Sequence, residues 1–322
     1  MTTTTTSAEP IVTVGASPQL KKPNFFLIGA PKCGTTSLAL YLSGHPNLFF
    51  CDPKEPFYWN SDYPELRRKE HLHTLAEYEA LFSEVSEQET IVAEGSTTYL
   101  SSQTAVREIL DYNPDALFLA MLRNPVEAMR SFHSELVYTS NEEVEDFEEA
   151  WNLQSRRAAG ESIPKLCREP TWLQYRKMGS YASQVRRFFE LVPEAQRRVF
   201  LFDDYSVDTP GTYRQVLEFL GLPDDNRQTF PRLKQSRKKR FEFVHRFFRV
   251  PPKPLEPIAI RVRRYVANQH SGPVGAAKKL FVKSHKRPPL REEFVEYLKN
   301  EFHDDVMELS ELLGRDLSHW VD

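Results

Sequence analysis

FFLIGAPKCGTTSLALYL, residues 25–42, joins an apolar run, a glycine-bearing loop and a helical pattern. Phe25-Phe26-Leu27-Ile28 is a short, wholly apolar run of the kind a buried parallel strand needs. Gly29 to Gly34 reads as a tight loop. From Thr35 to Leu42 the apolar residues recur at helical spacing, with Leu38, Tyr41 and Leu42 on one side. A strand, a loop with two glycines and a helix that begins in hydroxyl residues together make an anion cradle. The first helical turn carries N–H groups with no partner inside the helix, and the helix dipole favours negative charge there. Glycine lets the backbone approach the anion closely. Lys32 adds a mobile positive charge.

The order of residues inside the loop narrows the anion. In the nucleoside-triphosphate cradle, G-x-x-x-x-G-K followed by serine or threonine, the lysine comes after the second glycine. Gly29 and Gly34 keep that separation, but Thr35 stands in the lysine position and the lysine comes earlier, at Lys32. The loop fits a phosphate and misfits a standard ATP or GTP site.

Outward from this unit, strands are predicted at Leu48-Phe49-Phe50, Ile91-Val92-Ala93, Ala116 to Leu122 and Val199 to Phe202. Helices are predicted at Thr74 to Val85, Ser102 to Tyr112, after Pro125, at Glu142 to Arg157, Tyr181 to Leu191, Thr212 to Leu220 and Leu290 to Leu313. Such alternation implies an α/β fold: a P-loop-like central parallel sheet flanked by helices, with a helical C-terminal portion. The last helix is expected to dock on the sheet with Trp320. Ligands of open α/β sheets bind off the carboxyl edge of the strands. Arg123 emerges at that edge, and Ser131 follows it on the next helix. Both could face one phosphate, because an arginine fork matches phosphate geometry. The alternative is an arginine that caps the sheet by pairing with an acid.

The segment Cys51 to Trp59, CDPKEPFYW, joins a carboxylate and a lysine to three aromatics. Its prolines argue against regular helix. Aromatic walls are expected to strip water from Glu55 and make it a better proton acceptor, as a general base for an alcohol must be. The alternative is a surface salt bridge over a hydrophobic loop. His133 reads as a helix residue near the ligand rather than a base, and His45 as an exposed turn residue. Cys33 reads as a small residue that fits the loop, with a reactive thiol beside Lys32 as the alternative. Trp172, Tyr175 and Tyr181 either wall an acceptor site or fill the core.

Composition sets outer bounds. The chain has 322 residues, 40% hydrophobic and 27% charged, which suits one packed domain over 21–322 behind a flexible threonine-rich tail, 1–20. A net charge of -3 argues against a dedicated polyanion binder, so no nucleic-acid partner is expected. The basic, aromatic-rich stretch Arg232 to Arg249 has three readings, in falling order. It is an amphipathic helix with a solvated basic side, a loop that closes over ligand phosphates, or a polyanion-binding surface. Cys33, Cys51 and Cys167 form neither a disulfide framework nor a zinc motif, which points to a reducing, cytoplasmic setting without a metal centre. No apolar run approaches the roughly 20 residues of a membrane span, and MTTTTTSAEP lacks the regions of a signal peptide.

Four segments carry a family resemblance. IGAPKCGTTSL resembles the 5′-phosphosulfate loop of sulfotransferases that use 3′-phosphoadenosine 5′-phosphosulfate (PAPS). LRNPVEAMRSFH resembles their 3′-phosphate segment. KEPFYW resembles the lysine–glutamate–aromatic segment of the heparan-type and bacterial branch, and GSYASQVRRFFELVPEAQRRVFLFDDY that branch's later helix, strand and acidic turn. The resemblance implies that Lys32 contacts the phosphosulfate and helps neutralise the bridging oxygen. It implies that Cys33, Gly34, Thr35, Thr36 and Ser37 hold the 5′-phosphate, and that Arg123 and Ser131 bind the 3′-phosphate. Glu55 would take the proton from the hydroxyl of a small-molecule or carbohydrate acceptor, and no metal is needed.

The chain departs from the branch at several places. Phe57 stands where a histidine is frequent, Gly95 where a lysine is, Thr97 where a proline is, and Ala128 where a basic residue is usual. An apolar cleft of Phe57, Tyr58, Trp59 and Tyr99 would suit an alcohol on a small or lipophilic molecule better than a sulfated polysaccharide. Two rival readings stand beside this one. One is a nucleotide-dependent small-molecule kinase, which needs a triphosphate and usually magnesium. The other is a non-enzymatic anion or nucleic-acid binding protein that uses the basic stretch.

Overall fold

The computed structural model describes residues 21–69, 72–231, 237–239, 282–284 and 289–322. Five strands form the main sheet: β1 (Phe25–Gly29), β2 (Leu48–Phe50), β3 (Ile91–Glu94), β4 (Leu117–Leu122) and β5 (Arg197–Leu201). Their order is β2-β3-β1-β4-β5, and every pairing among them is parallel. Strands covered on both faces read as unbroken apolar runs. Accordingly β1 and β3 are buried throughout and β4 nearly so. At the edge, β5 is mostly half-buried and starts with two arginines. The chain fills the β3 side of β1 first and then crosses to the β4 side. The carboxyl end of β1 is therefore the switch point of the sheet, where a crevice opens.

Four helices position the site: α1 (Thr35–Leu42), α2 (Pro125–Tyr138), α3 (Tyr181–Leu191) and α4 (Glu292–Leu313). α1 starts and ends where its spacing predicted. α2 begins cleanly because the Asn124 side chain accepts from the N–H groups of Val126 and Glu127, and Pro125 pre-sets the first turn. α4 buries Phe294, Leu298, Phe302, Val306 and Leu309, each worth about 1.5–3 kcal/mol of transfer free energy. It rests chiefly on α3 and α2 rather than on the sheet as expected. Trp320 does dock. Its Nε1–H donates to Asp203 at 2.6 Å, and its carbonyl accepts from Asn124 Nδ2 at 2.9 Å.

Two predicted helices are shorter than their apolar spacing suggested. Between Thr74 and Val85 only Leu75–Glu79 is α-helical, followed by a 3₁₀ turn, Ala80–Phe82. Leu75 is exposed, while Tyr78 and Phe82 make the core contact. The stretch from Glu142 to Arg157 holds two short helices, Phe147–Asn152 and Gln154–Ala158. Glu142 lies outside both because its carboxylate is buried, taking hydrogen bonds from Arg157 and from the Tyr175 hydroxyl, each at 2.7 Å. A helix at Pro64–Lys69 had no counterpart among the predicted elements. Of the basic stretch only Arg237–Lys239 is described, paired antiparallel with Val282–Ser284. The rest of Arg232 to Arg249, and the tail 1–20, lie outside the described residues.

Candidate functional site

The loop after β1 owes its shape to its two glycines. At Gly29, φ is +151° and a Cβ would stand 2.7 Å from the carbonyl oxygen of Thr97. At Gly34, φ is +93° and a Cβ would stand 3.0 Å from the ring of Phe202. Any side chain at either position would clash or strain the backbone. Between them Lys32 holds φ at +66°, a left-handed conformation that costs an L residue about 1–2 kcal/mol. Gly34 is also the N-cap of α1, and no side chain caps that helix among the described residues. The Ser37 N–H turns back to the Gly34 carbonyl at 3.0 Å, so the N–H groups of Thr35 and Thr36 are the ones left for an outside acceptor.

One cleft takes in this helix start and reaches the segment before Phe57. Lys32, Gly34, Thr35 and Thr36 border it, and so do Glu55, Phe57, Arg168 and Trp172. Lys32 is ion-paired with Glu135 of α2. Oε1 of Glu55 accepts from Lys54 Nζ at 2.9 Å and, at 3.5 Å, from the Thr97 hydroxyl. The Glu55 side chain is 34% exposed.

The expected aromatic wall is only partly there. Phe57 borders the cleft, but Tyr58, Trp59 and Tyr99 are core residues. Phe57 turns the chain at φ +54°. Beyond it Tyr58 stacks on Tyr78 at 4.6 Å between ring centroids, and the Trp59 N–H donates to the Tyr99 hydroxyl. Phe132 and Trp172 supply the missing aromatic surface instead. Tyr175 and Tyr181 are buried in the core.

Arg123 stands on the far side of the loop. Its guanidinium lies 4.7 Å over the Phe202 ring, the same ring that fills the space beside Gly34. It also pairs with Glu127 at 3.3 Å. Ser131 is buried on α2, and Ser37 is half-buried one turn into α1. Neither they nor Arg123 border the cleft that holds Lys32 and Glu55. Two cations therefore serve the loop: Lys32 within it, paired with Glu135, and Arg123 over the Phe202 ring beside Gly34.

Other expectations sort as follows. The Cys33 side chain is buried, 3.8 Å from the Tyr181 hydroxyl, and burial pushes its thiol up to about 12. It is the small fitting residue, not a reactive thiol beside Lys32. His45 is buried rather than exposed, with Nε2 on the carbonyl of Pro223 at 2.9 Å. His133 is buried too, its Nε2 on the carbonyl of Val144, and burial pulls its pKa down.

Three further candidates emerge, of which Arg168 and Glu135 had no signal in the local sequence. Arg168 borders the cleft, its N–H held by the Asn141 side chain at 2.8 Å. Burial lowers its pKa and the charge of Glu55 acts against that. Glu135 comes one turn after Ser131 on α2. Glu94, at the end of β3, is wholly enclosed and accepts from the Tyr78 and Ser96 hydroxyls, each at 2.7 Å. Burial pushes its carboxyl up to about 7. Ser96 in turn accepts from the Phe57 N–H at 3.0 Å, and Lys54 donates to the Gly95 carbonyl at 3.1 Å. These bonds fasten the segment carrying Glu55 to the end of β3.

Chemically, an open helix start with two hydroxyls and a lysine fits one anionic group, and Arg123 behind the loop fits a second. A carboxylate, that of Glu55, borders the same cleft as the first.

A family model described as "Sulfotransferase domain" matches residues 22–246 of the chain. "Carbohydrate sulfotransferase 15" of Rattus norvegicus is 26% identical over 251 residues, covering 62% of this chain and 44% of that protein. "Membrane-associated sulfotransferase kil1" of Dictyostelium discoideum is 30% identical over 112 residues, covering 34% of this chain and 22% of the other. The chain thus spans less than half the length of these relatives. The crystal structure of a sulfotransferase from Alicyclobacillus acidocaldarius superposes with a TM-score of 0.69 at 27% identity, covering 94% of this chain and 100% of that one.

Proposed function

The chain belongs to the sulfotransferase domain family, and from that premise we propose that it moves a sulfuryl group from PAPS to a hydroxyl of a carbohydrate or small-molecule acceptor. The observation that carries this reading is the shared cleft, bordered by Lys32, the start of α1 and Glu55 together. When bound, the donor supplies the sulfuryl group and a bisphosphate leaving group. The N–H groups of the first turn of α1, with the Thr35 and Thr36 hydroxyls, hold the 5′-phosphate. Arg123 and Ser131 serve the 3′-phosphate. Lys32 balances the negative charge that grows on the departing phosphate oxygen as the sulfur–oxygen bond breaks. Glu55 takes the proton of the acceptor hydroxyl as its oxygen bonds to sulfur.

The acceptor half favours a ring that carries hydroxyls over a purely lipophilic alcohol. Phe57, Phe132 and Trp172 offer flat apolar faces, while Glu55 and Arg168 bring charged groups to the same cleft. With Tyr58, Trp59 and Tyr99 withdrawn into the core, the cleft is less apolar than a lipid-like acceptor would want. The test is calorimetry with adenosine 3′,5′-bisphosphate, followed by transfer assays with hydroxylated sugars and with simple alcohols. Tight bisphosphate binding and transfer to sugars are expected. Binding of ATP in preference to the bisphosphate would refute the assignment.

A further inference from the structure

The cleft holds a second carboxylate besides Glu55. Glu135 lies on α2, on the helix face that borders the cleft with Phe132, Leu136 and Thr139. It is ion-paired with Lys32. The Lys32 side chain is 14% exposed and that of Glu135 46%, so the pair sits where the enclosed loop meets solvent. If Lys32 serves the phosphosulfate, as the reading above holds, then Glu135 and the donor compete for one ammonium group. A carboxylate in contact with Lys32 would face the donor's own negative charge. Both cannot keep the place.

We propose that Glu135 is a positioning residue that holds Lys32 while the donor is absent, yields it when the donor binds, and reclaims it as the bisphosphate product leaves. The contact keeps Lys32 ordered at the loop and weakens donor and product binding alike. A side chain that loosens product can speed turnover where release is slow. This role differs from that of Glu55, which is paired with Lys54 and does not touch Lys32.

The test is calorimetry of the full chain with adenosine 3′,5′-bisphosphate, for the wild type, Glu135→Gln and Glu135→Asp. Glu135→Gln is expected to bind about 2- to 5-fold more tightly at low salt, with the gap narrowing as salt rises, the range an exposed ion pair allows. Glu135→Asp should stay nearer the wild type. In steady state the KM for the donor should fall in Glu135→Gln while kcat changes by less. A residue that only shapes the helix would not tighten ligand binding when neutralised. Unchanged or weaker binding in Glu135→Gln, with wild-type thermal stability, overturns the inference. So does a loss of kcat as deep as that of Glu55→Gln, which would make Glu135 a proton acceptor. A wild type that fails to bind the bisphosphate overturns the donor assignment itself, and this inference with it.

Discussion

Lys32 and Glu55 are held by different means, and their variants should fail differently. Lys32 is aimed by a left-handed backbone between two glycines, so its charge is delivered where the proposed leaving group departs. Removing one preorganised charge of this kind costs about 10²–10³ in rate. Lys32→Ala is therefore expected to lose transfer by at least that factor and to weaken bisphosphate binding as well, measured by a transfer assay and calorimetry. Glu55 is steadied by Lys54 and Thr97 and borders the same cleft as the helix start. Glu55→Gln keeps the shape and removes the proton acceptor, so kcat should fall by about 10²–10⁴ while bisphosphate affinity stays put. Affinity falling in step with the rate would show that Glu55 acts through the donor site. The residues that were hardest to read belong to this scale. Arg168 reaches the cleft only through tertiary packing, and nothing around it in the sequence has a period or spacing that marks it. Tyr58 and Trp59 follow a residue at φ +54°. Which way their rings turn depends on that one backbone angle, which composition does not reveal.

At the scale of elements, legibility tracks how local the determinants are. β1, the loop and α1 were readable nearly to the residue. An apolar run, two glycines in conformations that exclude side chains, and a helix start each depend on near neighbours. The start of α2 was readable for the same reason, through Asn124 and Pro125. The stretch from Glu142 to Arg157 was not. Its charges repeat at helical spacing, but the first and last of them meet each other. Both side chains are enclosed, at 1% and 0% exposure. Burial alone would raise the pKa of Glu142; Arg157, the Val144 N–H and Tyr175 outweigh it and hold the carboxyl below its usual range. A pair this deep is costly to break from one side. Arg157→Ala should destabilise the fold by about 3–5 kcal/mol, because it strands a buried carboxylate. Arg157→Met combined with Glu142→Gln should recover most of that loss. Urea unfolding of the two variants checks this, and equal destabilisation in both would mean that packing, not charge, dominates.

For the whole molecule, the enclosed carboxyl of Glu94 links stability to pH. It lies at the end of β3, where the sheet meets the segment that bears Glu55, so its protonation bears on the fold and the site together. Burial is the main cause of its rise from 4.5 to about 7, partly opposed by the hydroxyls of Tyr78 and Ser96. The sign follows from counting protons. Between those two values the folded chain keeps a proton that the unfolded chain has released, so stability falls as pH rises through the interval and levels off above it. At about 1.4 kcal/mol per pKa unit, moving from pH 5 to pH 8 should cost on the order of 2–3 kcal/mol through this group. Asp305, raised to about 6 chiefly by burial, adds a loss of the same sign that begins and ends lower. Glu94→Gln removes only the first contribution while leaving an amide for the same hydroxyls to meet. Urea titrations at pH 5 and pH 8 should therefore show the wild type losing about 2–3 kcal/mol more than Glu94→Gln. Equal losses would mean that the enclosed site admits the charge at little cost. A slope of opposite sign would mean that the two hydroxyls and Lys54 more than repay the burial, and that the carboxyl is ionised throughout.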